Sequence, residues 1–108
     1  MQSPWQLVSG GVTAPQGFAA SGIAAGLKPS GKPDLALLLA PEGAACAGAF
    51  TTSVVRAACV DLCHERLEST GGRARTVLIN AGQANACTGD RGLIDSQRAT
   101  QALADQLG

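Results

Sequence analysis

Aromatic side chains are nearly absent: the 108 residues include one Trp, two Phe and no Tyr, 3% in all. A core built on large anchors is therefore excluded, and packing must rely on close approach of small residues. Charge is also scarce, at 15% of residues, and eight basic groups balance eight acidic ones. A chain with zero net charge has no electrostatic footprint for nucleic acid or for an acidic membrane surface. No long apolar run exists; the longest, Leu35 to Ala40, is far short of a membrane span. The N-terminus, Met1-Gln2-Ser3-Pro4-Trp5, has no basic region leading into an apolar core, so no targeting signal is visible. A soluble cytoplasmic protein is the default expectation. Histidine occurs once, at position 64, which limits the choice of a general base.

Against these absences stand 14 Gly and a hydrophobic fraction of 45%, mostly Ala, Leu and Val. That composition is not disordered, and the length allows one domain with a marginal core. Cys46, Cys59, Cys63 and Cys87 are irregularly spaced. Without a secretory signal they are read as reduced thiols. Cys59-x-x-x-Cys63-His64 invites a zinc reading, but no second ligand cluster supports it. The plainer reading places Cys59 and Cys63, four residues apart, on the buried face of a short helix.

Gly10 to Gly17 is a turn-rich entry, and Phe18 to Leu27 reads as a small-residue strand. Lys28-Pro29-Ser30-Gly31-Lys32-Pro33 is a hairpin-type loop. Asp34 to Ala40 reads as a strand buried on both faces, bounded by Pro33 and by Pro41-Glu42-Gly43. Ala44 to Thr52 reads as the next strand, and Val54 to Val60 is ambiguous. Leu62 to Ser69 is helix-like and stops before Thr70-Gly71-Gly72. Thr76 to Asn80 is a β-branched strand. Ile94 to Leu107 is an amphipathic helix with Ala99, Leu103 and Leu107 on one face. Strands first and helices interspersed later favour an α/β sandwich over a bundle.

Between the strand ending at Asn80 and the final helix lies Asn80-Ala81-Gly82-Gln83-Ala84-Asn85-Ala86-Cys87-Thr88-Gly89. Such small residues let a backbone approach a ligand closely and aim several N–H groups at one point, which suits an anion or a developing oxyanion. A tight strand-to-helix connection without chemistry is the alternative. Two other motifs carry less. Gly26 to Pro33 nearly spells a phosphate-binding loop, but Pro33 lacks the required hydroxyl and a strand follows where a helix should. Cys87 and Thr88 are nucleophiles by type, yet His64 beside Glu65 and Arg66 reads as an exposed helix residue.

Asn80 to Gly89, taken with Gly10-Gly11-Val12-Thr13-Ala14-Pro15-Gln16-Gly17-Phe18, resembles the ornithine acetyltransferase family, bifunctional glutamate N-acetyltransferases of arginine biosynthesis. Ala25-Gly26-Leu27-Lys28, Lys32-Pro33-Asp34-Leu35-Ala36-Leu37 and Ala49-Phe50-Thr51-Thr52 match in the same order. The departures are Ser53, where the family usually has Asn, and Cys59, where Pro is common.

The resemblance implies part of a layered α/β sandwich, incomplete in this chain, from a precursor that cleaves itself at an Ala–Thr bond. The freed threonine is the nucleophile, with its own α-amino group as base. Acetyl passes from N-acetylornithine to glutamate, with acetyl-CoA as a donor substrate in bifunctional members; no other cofactor and no metal is implied. Thr88 and Gly89 match the family's oxyanion hole. The Ala99–Thr100 bond lacks the family's flanking residues and is not the cleavage site. Residues 1–108 are thus expected to be an N-terminal portion of the α-chain, inactive alone. The expected partners are the rest of the α-chain and the β-chain, in a heterotetramer of two α and two β. An N-terminal-threonine amidase or aminopeptidase of related fold is the alternative within enzymes. An inert truncated module is the alternative outside them.

Overall fold

A computed structural model describes residues Met1–Gly108. Its elements run β1 (Ala19–Ile23), β2 (Leu35–Ala45), α1 (Ala58–Ser69), β3 (Arg73–Asn80) and α2 (Gly89–Leu107). The strands form one antiparallel sheet in chain order, β1-β2-β3. Ala19 pairs with Leu39 and Ile23 with Leu35; on the other side Leu35 pairs with Asn80 and Leu39 with Thr76. Leucine favours helices as readily as strands, so Leu35 to Leu39 is held extended by its two pairing partners and not by propensity.

The Gly26–Pro33 loop joins two antiparallel strands, and no helix follows it. Asp34 organises it from inside. Asp34 Oδ1 accepts the Ala25 N–H at 2.7 Å, and Oδ2 accepts those of Leu27 and Lys28 at 2.7 and 2.8 Å.

β2 does not stop at Pro41-Glu42-Gly43, as the sequence suggests, but continues to Ala45 through a bulge. The register passes from Leu39↔Thr76 to Ala44↔Ala74, so Ala40, Pro41, Glu42 and Gly43 stand opposite Arg75 alone. A bulge tolerates a proline because the bulged residues leave the ladder. The strand expected over Ala44 to Thr52 is absent beyond Ala45. β3 begins at Arg73, the partner of Ala45, so no strand remains for later residues to pair with. The last bond of this edge is Cys46 N–H to Gly72 O at 2.8 Å.

α1 ends where Thr70-Gly71-Gly72 predicts, with the Gly72 N–H returning to Leu67 O at 2.9 Å. Its inward face is set by Ala58 and buried Leu62. Cys59 and Cys63 follow one position later, turned about 100° away, and both are exposed. The expected buried cysteine face is therefore wrong. α2 starts five residues before the expected Ile94 and packs on α1. Its half-buried and buried positions are Gly92, Leu93, Ser96, Thr100, Leu103 and Leu107, whereas Ala99 is exposed.

Little of the chain is fully covered: Asp34, Ala40, Leu62 and Gly92 alone are buried. The central strand is half-buried along Leu35 to Leu39 and not sealed on both faces as expected. In β3, Ala74, Thr76 and Leu78 are half-buried, while Val77 and Ile79 on the opposite face are open. No helix is long and apolar enough to cross a membrane.

Candidate functional site

The segment from Asn80 to Gly89 links β3 to α2 and is tied down along its length. At its start the Ala81 N–H donates to Asp34 O at 2.9 Å, and Asn80 Nδ2 donates to Gln83 O at 3.2 Å. Midway, Ala86 forms an antiparallel bridge with Ala57, just before α1. At its end Asn85 Nδ2 donates to Ser96 Oγ at 3.0 Å, and the Thr88 hydroxyl donates to Asn85 O at 2.7 Å.

The backbone then turns sharply. Cys87 has φ 58°, Thr88 has φ −96° and ψ 1°, and Gly89 has φ 60°. Alternation of left- and right-handed residues directs successive N–H groups into one concavity, an arrangement that binds anions. Gly89 supplies its left-handed turn without the steric penalty that any side chain brings. The same point is the head of α2, whose first N–H groups have no intrahelical acceptor and which carries no side-chain cap. Its dipole adds partial positive charge there.

This turn lines a cleft of about 210 Å³ between the starts of α1 and α2, together with Arg56, Ala58, Asp61 and Leu93. Arg56 is committed: Nε contacts Asp61 Oδ1 at 2.7 Å and Nη1 donates to Ser53 O at 2.7 Å. Thr88 and Gly89 are therefore brought together with groups that the sequence reading missed. Arg56 falls in the stretch whose secondary structure the sequence leaves ambiguous. The Asn85–Ser96 pair joins a loop to a helix, a relation without local signal.

Other candidates lie elsewhere. Cys87 reaches the cleft, but His64 does not; its ring lies against Phe50 at 5.2 Å and Nε2 is 3.4 Å from Glu68 Oε1. The Cys63 thiol is pushed up by partial desolvation and then by nearby Cys59, the opposite of an activated thiol. No three His, Cys, Asp or Glu side chains converge to hold a metal ion.

A model of the ArgJ family matches residues 19–108. The chain belongs to the ArgJ family. Two ArgJ relatives show how far the likeness extends, both named arginine biosynthesis bifunctional protein ArgJ. That of Parasynechococcus marenigrum (strain WH8102) is 87% identical over 108 residues, all of this chain and 26% of the relative. That of Prochlorococcus marinus (strain MIT 9313) is 70% identical over 107 residues, 99% of this chain and 25% of the relative. The chain thus spans about a quarter of the length of the curated ArgJ relatives it matches. Among solved structures it is similar to Mycobacterium tuberculosis ornithine acetyltransferase complexed with ornithine. The TM-score is 0.79 at 46% identity, covering 89% of this chain and 51% of that one. The Bacillus halodurans ArgJ structure gives a TM-score of 0.74 at 38% identity, covering 81% of this chain and 44% of that one. The α/β architecture is thus shared with ArgJ acetyltransferase structures.

Proposed function

We propose that this ArgJ-family chain supplies the oxyanion-stabilising part of an acetyl-transfer site, with Thr88 and Gly89 as the stabilising pair. In the complete enzyme, acetyl leaves N-acetylornithine for a threonine nucleophile lying outside residues 1–108, and then passes to glutamate. Acetyl-CoA serves as the alternative donor. That threonine is freed by self-cleavage of an Ala–Thr bond, and the assembly is a cytoplasmic heterotetramer of α- and β-chains with a layered α/β sandwich. Residues 1–108 alone are inactive because they carry no such nucleophile.

The observation that carries this reading is the left–right–left turn at Cys87-Thr88-Gly89, which leaves the head of α2 open toward the cleft. Each half of the transfer passes through a tetrahedral intermediate with charge on oxygen. N–H donors already fixed in direction stabilise that charge without reorganising. The Thr88 hydroxyl rests on the neutral carbonyl of Asn85. An ionised oxygen is a stronger acceptor by roughly twofold, so it can draw that proton across when it forms.

The test uses the full-length Parasynechococcus relative, substituted at the positions aligned with Gly89 and Thr88. Gly89→Pro removes the donor and, with φ locked at about −65°, also unmakes the left-handed turn, whereas Gly89→Ala keeps the N–H and bounds the cost of straining φ. The expected result is a loss of about 10²–10³ in kcat for the proline variant. Thr88→Ala should lose kcat as well, and Gly89→Ala much less. A folded proline variant with undiminished turnover would overturn the assignment.

A further inference from the structure

Three side chains and one glycine form a closed ring around the turn. The Thr88 hydroxyl donates to Asn85 O at 2.7 Å, Asn85 Nδ2 donates to Ser96 Oγ at 3.0 Å, and Ser96 Oγ donates to Gly92 O at 2.8 Å. Gly92 closes the ring by contact, since a β-carbon there would collide with Thr88 Oγ1 and stand 3.0 Å from Thr88 Cβ. Asn85 and Ser96 are half-buried and Gly92 is buried.

We propose that Asn85 and Ser96 are positioning residues that fix the direction of the Gly89 N–H during acetyl transfer. This rests on the oxyanion reading of Thr88 and Gly89 and extends it to residues outside the cleft's donor pair. The residue types suit the task. Asn85 accepts through its backbone and donates through its side chain, so it couples Thr88 to α2. The Ser96 hydroxyl accepts from Asn85 while donating to Gly92, so one oxygen ties the loop to the first turn of the helix that begins at Gly89. Asp at 85 would lose the N–H donor, and the Ser96 hydroxyl could bridge to it only by giving up its bond to Gly92 O. Ala at 96 would leave the Asn85 amide without its acceptor.

A donor that swings off line costs rate and not substrate affinity, and displacement by an ångström can cost about a hundredfold. In the full-length Parasynechococcus relative, Ser96→Ala and Asn85→Asp at the aligned positions should lower kcat between about tenfold and a hundredfold. KM for N-acetylornithine and Tm should change little. Amide hydrogen exchange should accelerate over residues 85–92. Ser96→Thr keeps the hydroxyl and should restore both kcat and exchange protection. If Ser96→Ala and Asn85→Asp keep wild-type kcat while Gly89→Pro abolishes it, the positioning role is wrong and the oxyanion reading stands. A loss of kcat that follows a matching fall in Tm, without rescue by Ser96→Thr, would reduce the ring to structural glue and overturn the proposal. If Gly89→Pro is harmless, the oxyanion reading itself fails, and unchanged exchange in Ser96→Ala would show separately that the ring does not hold the turn.

Discussion

Asp34 does more than its place at the head of a strand suggests. It is 4% exposed, yet its carboxylate has three backbone donors, and its own N–H and C=O bind Ile23 O and Ala81 N at 3.0 and 2.9 Å. The Ala25 N–H, then that of Lys28, hold its carboxyl below the ordinary 3.8; burial opposes them, and the Leu27 N–H and the Lys28 charge add to them. Because the folded value lies below the unfolded one, the stabilisation is full above about pH 4 and is lost as pH falls below it. Asp34→Asn keeps one acceptor oxygen but puts an NH2 group where the other oxygen accepted one or two of the three N–H groups, donor against donor. Thermal melts should therefore show a lower Tm for the variant at pH 7, with the gap to wild type narrowing as pH falls from 4 toward 3. A gap of constant size would mean the charge is irrelevant. The role has no local signature in the sequence, because it depends on the 25–28 turn folding back over the carboxylate.

At the scale of elements, α2 is seated by what it lacks. Gly92 faces Thr88 and lies with Ala58 of α1 at 3.5 Å from where a β-carbon would stand. Gly92→Ala should therefore destabilise by about 1–3 kcal/mol through overpacking, read as a lowered Tm, and should also disturb the Thr88 turn. An unchanged Tm would show that the helix can shift freely. The sequence discloses the hairpin loop, the later part of β3 from Thr76 to Asn80 but not its start at Arg73, the end of α1 and the existence of α2, since turn residues, β-branching and helical spacing are local signals. It also marks Asn80 to Gly89 as the region to watch. It misplaces the α2 face because Ser96 and Thr100 look polar. Both return hydroxyl protons to carbonyls one turn back, Ser96 to Gly92 O at 2.8 Å and Thr100 to Ser96 O at 3.0 Å, and so tolerate partial burial. It misses the bulge at Pro41–Gly43 and the loss of strand after Ala45, because both are decided by where β3 begins.

For the whole molecule, surface outweighs interior. The accessible area is 8396 Å², whereas a self-contained globule of this mass would expose about 5,500 Å². The radius of gyration is 15.8 Å, against about 13 Å for a compact domain of this length. Val54 and Val55 stand open before α1, and Val77 and Ile79 stand open on one face of β3. The 108-residue chain prepared alone should bind a hydrophobic dye and melt without a sharp cooperative transition, whereas the same residues within the full-length relative should do neither. A cooperative melt with no dye binding would show that the chain closes its own core. The sheet order offers a different consequence. Because β1, β2 and β3 lie side by side in the order in which they are made, β2 and then β3 each leave the ribosome to meet a partner already in place. No strand of this sheet must wait for a crossover or thread past another, so the scaffold of the Cys87–Gly89 turn can be assembled while residues 1–108 are being made.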